Sequence, residues 1–168
     1  MRLFVLIVAV LTCAAGCAPP ISRPSLNLVD PSVSFADLLQ NLERYRGRTL
    51  LLGGAIAAVR GLPGGGSDLE LVQFPTDRRG RITATNTSGG RFIARDGVFR
   101  DPAIYRAGRL MTLVATVEGV RQGRLGDVDY SYPVLTVVEL HLWPEDERPG
   151  ASPVRFGIGI GVGVGTAF

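Results

Sequence analysis

Few side chains in this sequence are suited to chemistry, and most of those stand alone. The 168 residues contain two cysteines, Cys13 and Cys17, and one histidine, His141. A structural zinc site asks for about four ligands; two thiols and one distant imidazole do not supply them. His141 falls on the polar parity of a strand pattern, near the sole tryptophan, Trp143. No nucleophile is placed around it, so it reads as a surface imidazole. Asp127 and Asp129 sit two apart beside a Gly123–Gly126 turn. Such a pair can bind a cation or act as acid and base, but a solvated strand end explains it more simply. Arg78, Arg79 and Arg81 crowd one turn, TDRRGR; there a solvated basic loop competes with contact to lipid phosphates or lipopolysaccharide. No GxSxG, HExxH or P-loop pattern occurs. The expectation is a non-enzyme, with no catalytic residue, no metal and no cofactor.

The cysteines carry the sharpest signal. Met1-Arg2 is followed by LFVLIVAVLTCAA, an uncharged apolar run. A basic start, an apolar stretch and then small residues make the pattern of a secretory signal. The run is shorter than the roughly 20 apolar residues of a spanning helix. Ala14-Ala15-Gly16 then precede Cys17, an arrangement that resembles a bacterial lipobox. In that motif the chain is cut before the cysteine, whose sulfur is acylated. Ala14 departs from the Leu most often found there. Cys13 is the poorer candidate, because Thr12 precedes it. The expected lipid attachment is therefore Cys17, with the membrane as partner through its acyl chains. Ala18 follows the anchor where Asp would retain it, which by the Gram-negative sorting pattern implies the outer membrane.

The elements that position these residues follow from pattern. Residues 1–16 read as the signal peptide, and 17–33 as the lipidated cysteine with a Pro-rich tether holding Pro19, Pro20, Pro24 and Pro31. Residues 34–144 read as the folded domain, and 145–168 as a linker and Gly-rich tail. SFADLLQNLERYRG predicts a helix over 34–46, with Ser34 and Asp37 as a capping box and Phe35, Leu38, Leu39 and Leu42 as its apolar stripe. Strands are predicted in TLLLGGAIAAV, DLELVQFP, GRFIAR, RLMTLVATVEGV and DVDYSYPVLTVVELHLW. Gly53-Gly54 inside the first predicts a bend or a close backbone approach. DPAIYRAG predicts a short helix between strands three and four, capped by Asp101. In the fifth strand Val128, Tyr130, Tyr132, Val134, Val138, Leu140 and Leu142 share one parity and are expected on the core face.

Three strands, a short helix and two strands are the order of a small OB-like five-stranded antiparallel barrel. Barrels of that type bind ligands on the outer face of strands two and three. Of the framing loops, GLPGGGS offers no recognizing side chain, while RQGRLG offers Arg121 and Arg124 as possible ligand contacts. Formal charge is +3, and one less once Arg2 leaves, which argues against a nucleic-acid partner. All the basic residues are Arg, a bias that codon usage in a GC-rich genome explains. The tail RFGIGIGVGVGTAF has glycine at every odd position from 157 to 165. It reads as a weakly ordered end, an edge strand, or a surface for self-association or membrane contact.

The segments YRGRTLLLGGAI, LELVQFPTDRRGR and GRFIARDGVFRDPAIYRAGRLMTLVATVEGVRQGRLGDVDYSYPVLTVVELHLWP resemble the Slp family of outer-membrane lipoproteins, the starvation- and stationary-phase-inducible type. The similarity runs over roughly 45–144 and includes the lipobox. It implies an outer-membrane-anchored, periplasmic domain tied to envelope stress. It implies no catalytic residue, because the family has no established reaction.

Overall fold

The structure is a computed structural model that describes residues 19–145. Cys13, Cys17 and the Gly-rich tail lie outside the described residues. Two short helices come first, α1 (Arg23–Leu26) and α2 (Phe35–Gln40), with a 3₁₀ turn at Glu43–Tyr45. Five strands follow: β1 (Thr49–Gly61), β2 (Ser67–Phe74), β3 (Gly90–Asp96), β4 (Leu110–Leu125) and β5 (Val128–Leu142). They close into a barrel in the order β1-β2-β3-β5-β4. The expected OB-like architecture is present, with one refinement. The β3–β5 seam is parallel, through Ile93↔Val134, Ala94↔Leu135 and Arg95↔Thr136; the other four seams are antiparallel.

The interior is built by alternation. Met111, Leu113, Ala115 and Val117 of β4 point inward and are buried, as their spacing predicts. They meet Leu50, Leu52 and Ile56 of β1, Leu69 and Leu71 of β2, Phe92 and Ala94 of β3, and Leu135 of β5. Each fully buried leucine contributes about 1.5–3 kcal/mol relative to exposure. α2 packs on the barrel end where β3 begins. Its Phe35 ring lies 5.7 Å from that of Phe92, and Leu38 is fully buried. The capping box forms as expected: the Ser34 side chain accepts from the Asp37 N–H, and Asp37 accepts from the Ser34 N–H and hydroxyl. The helix is shorter than expected, because the backbone leaves helical geometry at Asn41 before the 3₁₀ turn. Gly47, at φ +77°, then turns the chain into β1.

Four expectations fail, each for a physical reason. Residues 101–108 form turns, not a helix: Asp101 accepts from Ala103, Ile104 and Tyr105, and Gly108 is drawn onto β1 through Ile56. The segment 121–126 is not a loop. β4 and β5 continue as a hairpin to Leu125↔Val128, joined by Gly126-Asp127, with Gly126 at φ +61° as a two-residue turn with glycine first allows. The fifth strand does not keep one parity. Bulges at Glu118 and Val138 shift the alternation. Leu140 and Leu142 face the core, whereas Val128 and Val138 are exposed and Tyr130, Tyr132 and Val134 face outward with Ile93. Finally, residues 19–33 are not a free tether: Ile21 is fully buried, and Asp30 N–H donates to Thr49 C=O at 2.8 Å.

The paired glycines of β1 mark close backbone approach. A Cβ at Gly54 would collide with the Val72 carbonyl oxygen, and one at Gly53 with Thr76 Cγ2. The Val72 carbonyl belongs to the neighbouring strand and cannot yield. Gly54→Ala is therefore expected to destabilise the fold by about 2–3 kcal/mol, read as a lower urea midpoint; an unchanged midpoint would show that β1 and β2 separate freely there.

Candidate functional site

The barrel has two outer faces of different character. On the face spanned by β2, β3, β5 and the far half of β4, polar parity positions carry opposite charges. Asp68, only 4% exposed, accepts from Arg95 Nε at 3.0 Å and from Arg121 Nη1 at 2.7 Å. Arg95 Nη1 also reaches Glu118 at 2.8 Å, and Glu118 accepts from the Thr136 hydroxyl. Arg91 pairs with Glu70 at 2.6 Å. Three arginines thus meet three carboxylates. Beside them Tyr132 packs edge-on against Tyr130 at 4.7 Å, and burial pushes the Tyr132 hydroxyl's pKa up. The Tyr130 hydroxyl accepts from the Arg91 N–H at 2.8 Å. These rings seal the far end of the sheet; Tyr132 is 5% exposed and offers no stacking platform.

A groove of about 390 Å³ opens on this face, lined by Glu43, Arg46, Arg95, Glu118, Arg121 and Val134. Of the two arginines expected to contact a ligand, Arg121 lines it and Arg124 does not. They stand three residues apart on β4, hence on opposite faces of the strand. Arg124 instead reaches Asp127 of its own hairpin turn, at 3.6 Å. Sequence reasoning missed Asp68, Arg95 and Glu118. Their signal was the opposite-charge pairing of DLEL with RFIAR, which a cross-strand register of Asp68 with Arg95 makes explicit.

The second face, over β1, β4 and the end of β5, is covered by the chain's own N-terminal segment. Ile21 inserts against Gly80, and α1 follows with Ser22 as its N-cap. The Ser22 N–H and hydroxyl donate to the Glu139 carboxylate at 3.0 and 2.6 Å. Beneath them Thr112, fully buried, donates to the Gly80 carbonyl at 2.7 Å and accepts from Trp143 Nε1 at 3.0 Å. His141 lies edge-on to Trp143 at 4.8 Å, half-buried and packed rather than poised. Asp127 is fully exposed at the hairpin turn; among the described residues no three His, Cys, Asp or Glu side chains gather into a metal-holding group. A groove of about 640 Å³ runs between the N-terminal segment and residues 76–78, floored by Leu26, Val29, Val33 and Leu51.

A family model described as the outer membrane lipoprotein Slp family matches residues 14–157. The chain belongs to the Slp family of outer membrane lipoproteins. An envelope role at the outer membrane, held there by a lipid anchor, accords with that membership. The chain is also 29% identical over 113 residues to the uncharacterized lipoprotein YeaY of Escherichia coli (strain K12). That match covers 67% of this chain and 58% of the relative's length, so the chain spans little more than half of it. Among solved structures it is similar to the mitochondrial single-stranded DNA binding protein Rim1 of S. cerevisiae, at 12% identity and TM-score 0.33, covering 56% of this chain and 92% of that one. The small single-stranded DNA-binding protein of Streptomyces coelicolor gives 13% identity and TM-score 0.34, with the same coverages.

Two outcomes are expected. Asp68→Ala leaves two arginines facing one another and should cost about 2–3 kcal/mol, less than a fully buried pair because both arginines are partly exposed. Arg124→Ala should stay within about 0.5 kcal/mol; urea denaturation compares the two, and equal effects would contradict the network. Burial raises the Glu139 carboxyl, but hydrogen bonds from Ser22 and Ser25 outweigh it and hold the group below its ordinary 4.5. A carboxyl depressed in the folded state stabilises above its unfolded pKa and loses that contribution as pH falls through the lower folded value. The stability gap between the natural protein and Glu139→Gln should therefore be widest above about pH 4.5 and close below it. A gap that ignores pH would mean that the ionised carboxylate does not hold the N-terminal segment.

Proposed function

We propose that this protein is a non-enzymatic lipoprotein, acylated at Cys17, whose domain faces the periplasm and serves a structural or protective role in the envelope under starvation or stress. One observation carries the reading. The chain is docked on its own barrel from Ile21 onward, four residues after Cys17. Four residues reach about 14 Å at full extension. Packing of the residues next to the proposed anchor supports a domain held close to the bilayer. The signal peptide 1–16 and the small residues before Cys17 fit the same purpose. The outer face of β2 and β3 supports a non-enzymatic role, because its charges are spent on one another.

A second reading rests on the 390 Å³ groove. Arg46 and Arg121 stand at its rim with side chains 63% and 42% exposed. Both are already paired, Arg46 with Glu43 at 3.7 Å and Arg121 with Asp68 at 2.7 Å, so an anionic envelope glycan or lipid would bind here by sharing or displacing those carboxylates. Saturable binding on a glycan or lipid array, lost in Arg121→Ala but kept in Arg124→Ala, would move the protein to a ligand-binding role.

The anchor is tested chemically. The mature chain should begin at Cys17 and carry acyl mass. Cys17→Ser should leave an uncut precursor or release the protein from membranes, and Cys13→Ser should do neither; equal behaviour of the two variants rejects Cys17. Ala18→Asp should hold the lipoprotein in the inner membrane on fractionation. The tail 156–168 is proposed to mediate weak self-association. Light scattering of the unacylated mature chain should then show a smaller mass when the tail is removed, with anchoring in cells unaffected.

A further inference from the structure

The N-terminal docking decides which part of the domain lies nearest the anchor. Residues 76–82 form a small hairpin. Thr76 bridges Ile82, Asp77 N–H donates to Arg81 C=O at 2.9 Å, and Gly80 N–H donates to Asp77 C=O at 3.0 Å. The Asp77 carboxylate accepts from the Arg79 and Arg81 N–H groups at 2.8 and 2.9 Å, which shapes the turn from within. Gly80 is buried at φ +83°; a Cβ there would lie 2.9 Å from Thr112 Cγ2 and 3.5 Å from Ile21 Cγ1. The glycine thus faces the barrel and Ile21, while Arg78, Arg79 and Arg81 are at least partly exposed around it. Arg23, also exposed, begins α1 two residues after Ile21.

These arginines differ from those of the opposite face. Arg91, Arg95 and Arg121 are neutralised by carboxylates, and Arg48 pairs with Asp30 at 3.2 Å. Among the described residues, Arg23, Arg78, Arg79 and Arg81 make no ion pair within 4.0 Å. Of the carboxylates in this region, Asp30, which lines the same groove as Arg78, is taken up by Arg48, and Asp77 and Glu139 are engaged by backbone N–H groups and by Ser22. A cationic surface therefore remains beside Ile21. With Cys17 acylated, the reading on which this inference rests, the leaflet surface lies within about 14 Å of that residue.

We propose that the 76–82 hairpin is a membrane-contact element: Arg78, Arg79 and Arg81, with Arg23, engage the phosphates of anionic lipid headgroups in the leaflet that holds the anchor. The acyl chains then supply attachment, and the hairpin supplies orientation. The domain lies with β4 and the N-terminal segment toward the bilayer, and the Gly126-Asp127 end of the long hairpin is free to point elsewhere. Two signals, lipid and basic patch, reinforce one another in the way that peripheral anchors require.

The inference is tested on the mature chain, residues 17–168, made without acylation as Cys17→Ser. Sedimentation with vesicles of phosphatidylglycerol and phosphatidylcholine should show binding that rises with the anionic fraction and falls with added salt. Each arginine changed to Gln among 78, 79 and 81 should weaken that binding about fivefold, the order expected of one cation near an anionic leaflet. Arg91→Gln, on the far face, should leave it unchanged. Equal binding to neutral vesicles, or no loss in the triple variant, overturns the proposal. Because this chain carries no lipid, the outcome is independent of whether Cys17 is acylated in cells. In the acylated protein, a fluorophore on Thr83→Cys should be quenched by headgroup-located quenchers and one on Val128→Cys should not. The reverse order would place the opposite end of the barrel at the membrane and also overturn the proposal.

Discussion

A ring of five strands closes only if its long strands can bend, and here bulges in β1, β4 and β5 provide the bend. β4 and β5 pair from Met111↔Leu142 to Leu125↔Val128, well past the stretch Leu110–Thr116 over which β4 pairs with β1. An unbulged hairpin of that length would keep one set of side chains inward throughout. Glu118 in β4 and Val138 in β5 each stand as an extra residue against the partner strand, and each reverses the alternation. The near halves of both strands thereby fill the core, while the far halves turn outward. This lets Val134 to Thr136 lie parallel to β3 and close the ring. The same reversal brings Arg121 to Asp68 and sets Tyr132 and Val134 on Ile93.

Closure leaves two outer faces, and the chain treats them oppositely. Over β2 and β3 it spends three arginines on three carboxylates. Asp68 is the pivot, since a carboxylate this buried requires partners. Over β4 the chain covers itself. Thr112 and Val114 are fully buried although they point away from the core, because Ile21 and the 76–82 hairpin lie on top. The near half of β4, Met111 to Ala115, is dry on both sides, the condition more typical of a strand inside a layered fold.

In an outer membrane lipoprotein, the segment just beyond the anchor sets how far the domain stands from the bilayer. A free 16-residue coil would span roughly 20–25 Å. If Cys17 carries the lipid, as proposed, a segment folded down from Ile21 leaves only a few residues of slack, and the fold itself then sets the orientation. Thr112 links the parts: through its one hydroxyl, Trp143 at the end of β5 is joined to Gly80 of the hairpin that holds Ile21.

Local chemistry was enough for the sequence to determine much of this. The capping box at Ser34–Asp37, the inward run Met111 to Val117 and the paired glycines at 53–54 depend on near neighbours or on simple alternation, and all appear in the structure. The order of five strands and the family likeness were legible for the same reason. What only the tertiary structure decided depended on residues far apart in the chain. Proline spacing in 19–33 suggested an extended tether, but proline restricts φ without forbidding docking; Glu139 and Gly80, both distant in the chain, supply the partners. Asp101 caps a turn that looked helical, because Ile56 holds Gly108 and ends it there. Parity in the fifth strand failed because a bulge is a property of two strands in register, and register is written in neither strand alone.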